Sequence, residues 1–256
     1  MSGGSYLEEG SYEGQSMPLI GDDAPAFKAR TTQGMVNFPE DYKGKWVIFF
    51  SHPSDFTPVC TTEFIKCATM QEELKKLNTE LIGLSVDSIY SHLAWLETIR
   101  DRVEYKGFKN IDVMFPVIED LSMEVARKYG MIHPNAHYTP ESILEKFERS
   151  GGVLPIRQFT TETIRAVFII DPMGKIRAIL YYPFSNGRSM DEVKRLLMAI
   201  QKSDSEDVST PEGWSPGDDV ILPCPVTWTG VKERLDGPDK DLKCFDWFLC
   251  IKKDTQ

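Results

Sequence analysis

The chain has 256 residues, enough to bury a complete hydrophobic core and to form one large domain with a smaller one. Its formal net charge of −10 argues against a nucleic-acid backbone or an anionic membrane as the main partner, and we expect neither. No run of about 18 apolar residues occurs, so the sequence predicts no membrane-spanning helix.

The N-terminus and the cysteines indicate the compartment. Residues 1–16 have neither the basic start nor the apolar core of a signal peptide, and we predict a short disordered tail there. The chain has five irregularly spaced cysteines, which are Cys60, Cys67, Cys224, Cys244 and Cys250. An odd number without an export signal indicates functional thiols in a reducing compartment, so we expect a cytoplasmic protein. We expect no metal site, because the closest cysteine pair has five intervening residues and no second pair completes a zinc site.

From residue 46 onward, apolar segments alternate with amphipathic ones, which predicts an α/β fold. Predicted strands cover residues 46–50, 81–86, 113–118, 164–170 and 175–182. Predicted helices cover residues 61–78, a segment around residues 92–99, and residues 121–129 and 190–200. The last two strands form a hairpin through the turn residues 171–174.

The chain divides after the last of these helices. Residues 201–219 are rich in Ser, Asp, Pro and Gly, which predicts a linker. The residues after it contain aromatics and cysteines but little periodicity. We therefore predict a core domain of residues 17–202 and a C-terminal module of residues 203–256.

Cys60 lies where the first predicted strand gives way to a loop and then to a helix that begins at Thr61. At the N-terminus of a helix, unpaired backbone N–H groups and the positive end of the helix dipole favour a thiolate over a thiol. The thiolate is the nucleophilic form of cysteine. The sequence therefore predicts that Cys60 is a nucleophile.

The same loop contains Pro53 and Thr57, and the spacing Pro-x3-Thr-x2-Cys resembles the active-site motif of the peroxiredoxins, thiol peroxidases with a thioredoxin-like fold. The resemblance covers nearly the whole chain from Met17 onward. It implies that Cys60 attacks a peroxide and becomes a sulfenic acid, that Thr57 binds the peroxide, and that Pro53 restricts water around the sulfur. It implies no metal, haem or flavin cofactor.

The family also takes an arginine from a distant strand, and Arg165 matches that position. Arginine keeps its charge in a desolvated pocket, so Arg165 is expected to stabilise the departing oxygen. Glu63 and Arg188 lie where the resemblance predicts a supporting polar network. Simpler explanations stay open, namely a turn residue at Thr57, a first-turn carboxylate at Glu63, an exposed strand end at Arg165 and a surface charge at Arg188.

Two further residues lie close to Cys60 in the sequence. His52, at the mouth of the loop, could tune Cys60, stabilise its oxidised sulfur, or only pack. Cys67 lies two helical turns beyond Cys60, and we expect it to be a buried core residue because free cysteines are commonly buried.

The stretch Ser51-His52-Pro53 and the long C-terminal module resemble the one-cysteine-type subfamily and its archaeal relatives. Cys244 and Cys250 resemble the paired C-terminal cysteines of archaeal peroxiredoxins. That resemblance implies that Cys250 resolves the sulfenic acid at Cys60 across a dimer interface, and that Cys244 is a secondary thiol. The alternative is a one-cysteine mechanism, in which both C-terminal cysteines are structural and an external thiol reduces Cys60.

The predicted activity is the thiol-specific reduction of hydrogen peroxide and organic hydroperoxides, with a thioredoxin-like or other dithiol as reductant. The family implies a thioredoxin-like fold with a C-terminal dimerisation module, and a homodimer or a ring of five dimers. Trp228, Trp247 and Phe248 are candidates for buried contacts in that assembly.

Two other functional classes compete with a peroxidase. A general disulfide oxidoreductase would need a Cys-x-x-Cys pair at the helix start, but Glu63 occupies the partner position. A redox-regulated chaperone or a peroxide sensor would use the same Cys60. The sequence assigns no role to Cys224 or to residues 138–163.

Overall fold

The structure is a computed structural model, and it describes residues 17–132, 161–236 and 242–254. The predicted tail at residues 1–16 lies outside these ranges, as do residues 138–160 of the stretch without an assigned role. Tertiary contacts divide the chain into two compact units, Met1–Arg188 and Ser189–Gln256. Each unit has its own sheet, and the domain boundary after residue 202 stays a prediction.

The first unit contains a seven-stranded mixed sheet. Its strands are β1 (Phe27–Thr31), β2 (Gly34–Phe38), β3 (Trp46–Ser51), β4 (Thr79–Ser85), β5 (Val117–Glu119), β6 (Arg165–Ile170) and β7 (Ile176–Tyr182). Their order in the sheet is β2-β1-β5-β4-β3-β6-β7. The central strands β3, β4 and β5 are parallel, and the pairs toward both edges are antiparallel. Because β3 lies inside the sheet, it is buried along its whole length.

Helices connect the parallel strands of this unit, as parallel pairing requires. They are α1 (Pro58–Lys76) between β3 and β4, α2 (Ile89–Arg102) between β4 and β5, and α3 (Glu124–Lys128) after β5. A 3-10 helix, Glu40–Tyr42, precedes β3. Among the described helices of the whole chain, none is long and apolar enough to cross a membrane.

Side chains of β3 alternate between the two faces of the sheet and so enter two aromatic clusters. Phe49 packs edge-on against Tyr129 at 4.9 Å between ring centroids and lies 6.5 Å from the ring of Phe168. Phe50 packs on the other face against Phe64 of α1 at 5.6 Å. This packing on both faces fixes the point at which the chain leaves β3 and enters the loop before α1.

The second unit contains a three-stranded antiparallel sheet in the order β8-β10-β9. Its elements are α4 (Met190–Glu206), β8 (Val220–Ile221), α5 (Trp228–Asp236), β9 (Leu242–Asp246) and β10 (Leu249–Lys252). Ser189 caps α4, since its side chain accepts a hydrogen bond from the backbone N–H of Glu192. A short turn joins β9 to β10.

The structure confirms the α/β alternation and the hairpin of β6 and β7, in which the N–H of Gly174 donates to the carbonyl of Asp171 at 2.9 Å. The predicted start of α1 at Thr61 is wrong. The helix begins at Pro58, because proline has no N–H group to lose at the first helical position. Cys60 therefore lies inside the first turn.

Three other predicted boundaries are also wrong. β5 begins at Val117 instead of residue 113, after Pro116, which has no N–H to donate to a sheet. α3 begins only after Met123, because its left-handed φ of 59° is incompatible with a right-handed helix at that residue. Residues 201–206 of the predicted linker belong to α4, which ends where Asp207 adopts a left-handed φ of 52°.

Several short elements were not predicted. β1, β2, β8, β9 and β10 have two to five residues each, too few for a clear periodic signal. α5 has only nine residues, so the helical spacing of its apolar side chains is too short a signal to identify it as a helix.

We predict that Phe49→Ala destabilises the protein by about 3–5 kcal/mol in the free energy of unfolding, because the ring has no exposed surface. Tyr90→Ala is the matched control, since Tyr90 is 77% exposed on α2 and its loss should cost no more than about 0.5 kcal/mol. Chemical denaturation of both variants and the parent measures the two differences. Equal losses would contradict the central packing role of Phe49.

Candidate active site

Cys60 lies in the first turn of α1, directly after the loop that follows β3. Thr57 is the N-cap residue, so Cys60 is the third helical residue, where backbone N–H groups have no acceptor within the helix. The side chain of Cys60 has no exposed surface. The sulfur thus lies at a helix N-terminus and is closed off from bulk solvent.

Arg165 begins β6, and its guanidinium group contacts the sulfur of Cys60. Its Nη1 donates to Sγ of Cys60 at 3.4 Å and to Oε2 of Glu63 at 2.7 Å. Its Nε donates to the carbonyl of Phe184 at 2.8 Å. Arg165 is only 1% exposed, so the explanation of this residue as an exposed strand end is wrong.

Arg188 binds the same carboxylate as Arg165. Its Nη2 donates to Oε2 of Glu63 at 2.7 Å, and its Nε and backbone N–H donate to Oε1 at 3.0 and 2.7 Å. Its Nη1 donates to the carbonyls of Ser51 and Ala166 at 2.8 and 2.9 Å. Because Arg188 is buried, the explanation of this residue as a surface charge is wrong.

Glu63 carries the negative charge of this cluster. Burial by itself raises the pKa of the carboxyl, but the charge and hydrogen bonds of Arg188 and the charge of Arg165 outweigh burial and hold the pKa of Glu63 below its usual value. One carboxylate between two guanidinium groups leaves an excess positive charge beside the sulfur of Cys60. Such an excess suits an anion at that place, either a thiolate or an oxygen that leaves a peroxide.

Thr57 and Pro53 belong to the loop before α1. The hydroxyl of Thr57 donates to the carbonyl of Ser54 at 2.7 Å. Its hydrogen is therefore engaged within the loop, and its oxygen keeps lone pairs for a hydrogen bond from a bound molecule. Pro53 is buried in the same loop. The loop thus supplies a hydroxyl acceptor at the N-cap position of α1, three residues before Cys60.

A second buried network holds the loop against α2 and β5. Asp55 accepts a hydrogen bond from Nε2 of His52 at 2.9 Å and another from Nδ1 of His92 at 2.8 Å. The Nε2 of His92 lies 3.1 Å from the carbonyl of Ile118. Burial raises the pKa of Asp55, but the hydrogen bonds from the two histidines outweigh it and hold the pKa far below its usual value. The network fixes the path of the chain between β3 and Cys60.

His52 has one ring nitrogen without a partner. Among the described residues, its Nδ1 is the one buried polar side-chain atom that makes no hydrogen bond. Burial lowers the pKa of His52, against the hydrogen bond and charge of Asp55, and so favours the neutral ring. With Nε2 donating to Asp55, Nδ1 of a neutral ring carries a lone pair. The ring also packs on Phe64 and Trp95, with centroids 4.7 and 5.2 Å away.

His52, Asp55 and His92 also form a group, within the described ranges, whose side-chain atoms lie within 4.8 Å of one another and could hold a metal. Both histidines use these atoms in hydrogen bonds to Asp55. The hydrogen-bond network therefore accounts for the placement of the three side chains.

Cys67 is buried, as expected for a core residue. Burial is the main cause that raises the pKa of its thiol to about 12, against the opposing charge of Arg188. The thiol therefore stays protonated at neutral pH and is a poor nucleophile.

The C-terminal cysteines belong to the second unit. Cys244 of β9 and Cys250 of β10 are paired residues, and a disulfide with an S–S distance of 2.03 Å joins them. Cys60, Cys67 and Cys224 are free thiols. A bond between Cys250 and Cys60 of another chain stays a prediction.

The structure brings Cys60, Glu63, Arg165 and Arg188 into one network and places His52 in a neighbouring one. Asp55 and His92 were missed in the sequence. Two signals could have found them. Asp55 lies three residues after His52 in the loop between a buried strand and a helix. His92 shares the buried face of α2 with Ile89, Trp95 and Ile99, where a polar residue needs partners.

Comparison with known proteins gives matches along most of the chain. The profile of the AhpC/TSA family matches residues 20–179, and that of the C-terminal domain of 1-Cys peroxiredoxin matches residues 199–237. A peroxiredoxin of Methanosarcina mazei is 57% identical over 240 residues, covering 94% of this chain and 100% of the relative. A peroxiredoxin of Aquifex aeolicus is 45% identical over 248 residues, covering 93% and 98%.

Solved structures share the fold. A yeast mitochondrial 1-Cys peroxiredoxin, studied for thiol resolution via glutathione/thioredoxin systems, has a TM-score of 0.73 and 37% identity and covers 93% of this chain and 100% of its own. A cysteine-to-serine mutant of peroxiredoxin 6 of Arenicola marina has a TM-score of 0.73 and 28% identity, with the same coverage of 93% and 100%. These likenesses confirm the predicted thioredoxin-like fold with a smaller C-terminal module.

We predict that Glu63→Gln lowers the free energy of unfolding at neutral pH and reduces the loss of that free energy as the pH falls. Because the pKa of Glu63 is lowered in the folded state, its contribution is complete above the unfolded pKa of about 4.3 and is lost as pH falls through the folded pKa. Removing one partner of a buried ion pair typically costs about 3–5 kcal/mol.

Urea denaturation from neutral pH down to about pH 3 measures this difference, which should shrink toward the acid end. Glu97→Gln is the control, since the Glu97 side chain is 69% exposed. A Glu63→Gln variant with the stability and acid response of the parent would contradict the role of the carboxylate.

Proposed function

The chain belongs to the peroxiredoxin family, in its 1-Cys type, and is a thiol peroxidase, and we propose that Cys60 is the residue that attacks the peroxide. The observation that carries this proposal is the hydrogen bond of 3.4 Å from Arg165 to the buried sulfur of Cys60, in the first turn of a helix. The proposed substrates are hydrogen peroxide and organic hydroperoxides.

In the proposed reaction, the thiolate of Cys60 attacks one peroxide oxygen, and the O–O bond breaks. The sulfur keeps that oxygen as a sulfenic acid, and the second oxygen leaves with the electron pair and takes up a proton to give water or an alcohol. Negative charge thus moves from the sulfur to the leaving oxygen. Arg165 lies where it stabilises this charge, and the lone pairs of Thr57 accept a hydrogen bond from the peroxide.

Four further residues are proposed to position these groups. Glu63 and Arg188 hold the guanidinium of Arg165 in place through their shared buried network. Pro53 is buried and restricts water in the loop. His52 offers the lone pair of Nδ1 as an acceptor for a hydroxyl, such as that of the sulfenic acid.

For the next step, we propose that Cys250 of a partner subunit attacks the sulfenic acid, so that a disulfide forms and water leaves. Because neither Cys60 nor Cys250 has exposed surface, this step requires both the first turn of α1 and the strand around Cys250 to open locally. The Cys244–Cys250 disulfide supports a role for Cys244 as second thiol, since Cys244 can displace Cys60 from Cys250 by thiol–disulfide exchange. An external thiol that reduces Cys60 directly is the alternative.

The peroxiredoxin family implies a thiol reductant. We propose a thioredoxin-like or other dithiol, and the yeast relative is described with glutathione/thioredoxin systems. We also propose a reducing compartment such as the cytoplasm, because Cys60, Cys67 and Cys224 are free thiols.

We propose a homodimer, with a ring of five dimers as the larger assembly. Large apolar side chains of the second unit support an interface there, because Trp228 is 84% exposed and Phe248 is 52% exposed in the single chain. Trp247 lies beside Phe248, with ring centroids 5.7 Å apart. Exposed apolar side chains of this size commonly mark a surface that another protein covers.

We predict that Cys60→Ser abolishes peroxide reduction and that Arg165→Met lowers the second-order rate constant for hydrogen peroxide by about 10²–10³-fold, the usual effect of losing one donor to a developing oxyanion. Rapid mixing of reduced protein with hydrogen peroxide measures the rate, and circular dichroism checks folding. Arg100→Met is the matched control, because Arg100 pairs with Asp101 at the surface of α2. A Cys60→Ser variant that consumes peroxide at the parent rate would overturn the assignment.

We predict that one equivalent of hydrogen peroxide, given to protein first reduced with a dithiol, produces a Cys60–Cys250 link between chains. The link should be lost in Cys250→Ser and should accumulate in Cys244→Ser, because in the parent Cys244 displaces Cys60 and converts the link into the Cys244–Cys250 disulfide. Non-reducing gels and peptide mapping detect it. Sulfenic acid at Cys60 with no disulfide in the parent protein would instead establish the one-cysteine mechanism.

A further inference from the structure

Three of the five cysteines lie on or beside one strand of the second unit. β10 lies between β8 and β9 in the sheet. Cys250 belongs to β10, and its disulfide partner Cys244 belongs to β9. On the other side of β10, Cys224 follows the end of β8. Cys250 therefore has a bonded sulfur on one side and the chain segment of a free thiol on the other.

Hydrogen bonds place Cys224 beside the turn that leads into β10. The backbone N–H of Leu222 donates to the carbonyl of Cys250 at 3.0 Å, which extends the antiparallel pairing of β8 with β10. Two residues further along, the thiol of Cys224 donates to the carbonyl of Phe248 at 3.2 Å. Cys224 and the disulfide thus lie at the same end of the sheet.

Arg234 of α5 links the residue before Cys224 to this turn by hydrogen bonds. Its Nη1 donates to the carbonyl of Pro223 at 2.8 Å and to that of Trp247 at 3.2 Å. Cys224 itself lies between Pro223 and Pro225, and neither proline has an N–H group for a sheet. The segment is therefore held next to β10 without being locked into the strand ladder at Cys224.

The three cysteines differ in their access to solvent. Cys224 is exposed, Cys244 is half-buried, and Cys250 has no exposed surface. A dithiol in solution can therefore approach the sulfur of Cys224, whereas the sulfur of Cys250 is closed to it. Attack on a disulfide needs access to the sulfur that is attacked.

We propose that Cys224 is a third redox thiol, which exchanges with the Cys244–Cys250 disulfide. The new disulfide then contains an exposed sulfur, that of Cys224. The thiolate of Cys224 attacks Sγ of Cys250, so that a Cys224–Cys250 bond forms as the Cys250–Cys244 bond breaks. Cys244 leaves as a thiolate and takes up the proton that Cys224 lost. The number of disulfides is unchanged, so the exchange needs no oxidant or reductant.

The sheet order suits this exchange. Because β10 lies between the other two segments, the chain segments of Cys224 and Cys244 approach Cys250 from opposite sides, and displacement at sulfur needs the attacking and leaving groups on opposite sides. Diagonal neighbours on adjacent strands are roughly 7–8 Å apart between Cα atoms, and a disulfide needs about 4.4–6.8 Å. Residues 222–226 lie outside regular structure and can make this small shift.

The exchange gives an external dithiol a route to Cys250. The dithiol attacks the exposed sulfur of Cys224, Cys250 leaves as a thiol, and the second thiol of the reductant closes its own disulfide and frees Cys224. The inference rests on the proposed function only for the source of the tail disulfide, which the reaction at Cys60 would supply.

The first test uses the full-length chain with Cys60→Ser, which separates the tail chemistry from peroxide. The protein is reduced, its tail disulfide is formed with diamide, and after equilibration the remaining thiols are alkylated under acid conditions. Peptide mapping by mass spectrometry should find a Cys224–Cys250 link together with the Cys244–Cys250 link. A map with the Cys244–Cys250 link alone, or with Cys224 joined to Cys244, would overturn the proposal.

The second test is the rate at which dithiothreitol reduces the tail disulfide. In the same background, Cys224→Ser should slow this reduction at least about tenfold. Cys67→Ala, which removes a buried thiol of the first unit, should leave the rate unchanged. Equal rates for Cys224→Ser and its parent would overturn the proposal. Peroxide consumption by the protein with Cys60 intact tests the proposed peroxidase function alone. A failure of that function can therefore be told apart from a failure of the exchange at Cys224.

Discussion

The carboxylate of Glu63 is buried between Arg165 and Arg188, and the geometry of the site depends on this charge cluster. A buried charge is strongly unfavourable unless opposite charges and hydrogen bonds satisfy it. Arg188 meets this need and also binds the carbonyls of Ser51 and Ala166, which ties the cluster to the ends of β3 and β6. Arg165 is held by the same carboxylate, and it donates to the sulfur of Cys60. The sheet thus fixes the positions of Arg188 and Arg165, and these two residues set the positive charge around the sulfur of Cys60.

The loop between β3 and α1 is held from a second side by the network of His52, Asp55 and His92. Phe56 lies in this loop with a left-handed φ of 55°, which costs an ordinary residue roughly 1–2 kcal/mol. That conformation persists because Asp55 is fixed through its side chain and through its N–H, which donates to Asp87 at 3.0 Å. The loop therefore presents Thr57 and Cys60 in a defined geometry, although it has no regular structure of its own.

Burial separates the cysteines by chemistry. Cys60 is buried next to a cation, which suits a nucleophile, while Cys67 is buried two helical turns further along α1 with a raised pKa, which suits an inert core residue. In the second unit, Cys244 and Cys250 lie on one small sheet and Cys224 lies next to it, which is the arrangement that the proposed exchange uses. The proposed attack on peroxide thus belongs to the first unit and the proposed exchange among tail cysteines to the second, and the proposed disulfide between Cys60 and Cys250 connects the two.

The sequence by itself determined the α/β alternation, the hairpin of β6 and β7, and the position of Cys60 at a helix start, because periodicity, turn residues and capping act between near neighbours in the chain. It also indicated Arg165, Glu63 and Arg188, although only through resemblance to a family. Only the tertiary structure decided that these three are buried in one ion-pair network, that Asp55 and His92 join His52, and that Cys224 contacts the turn that leads to Cys250. Those contacts join residues far apart in sequence, and local preference carries no information about which distant groups share a buried space.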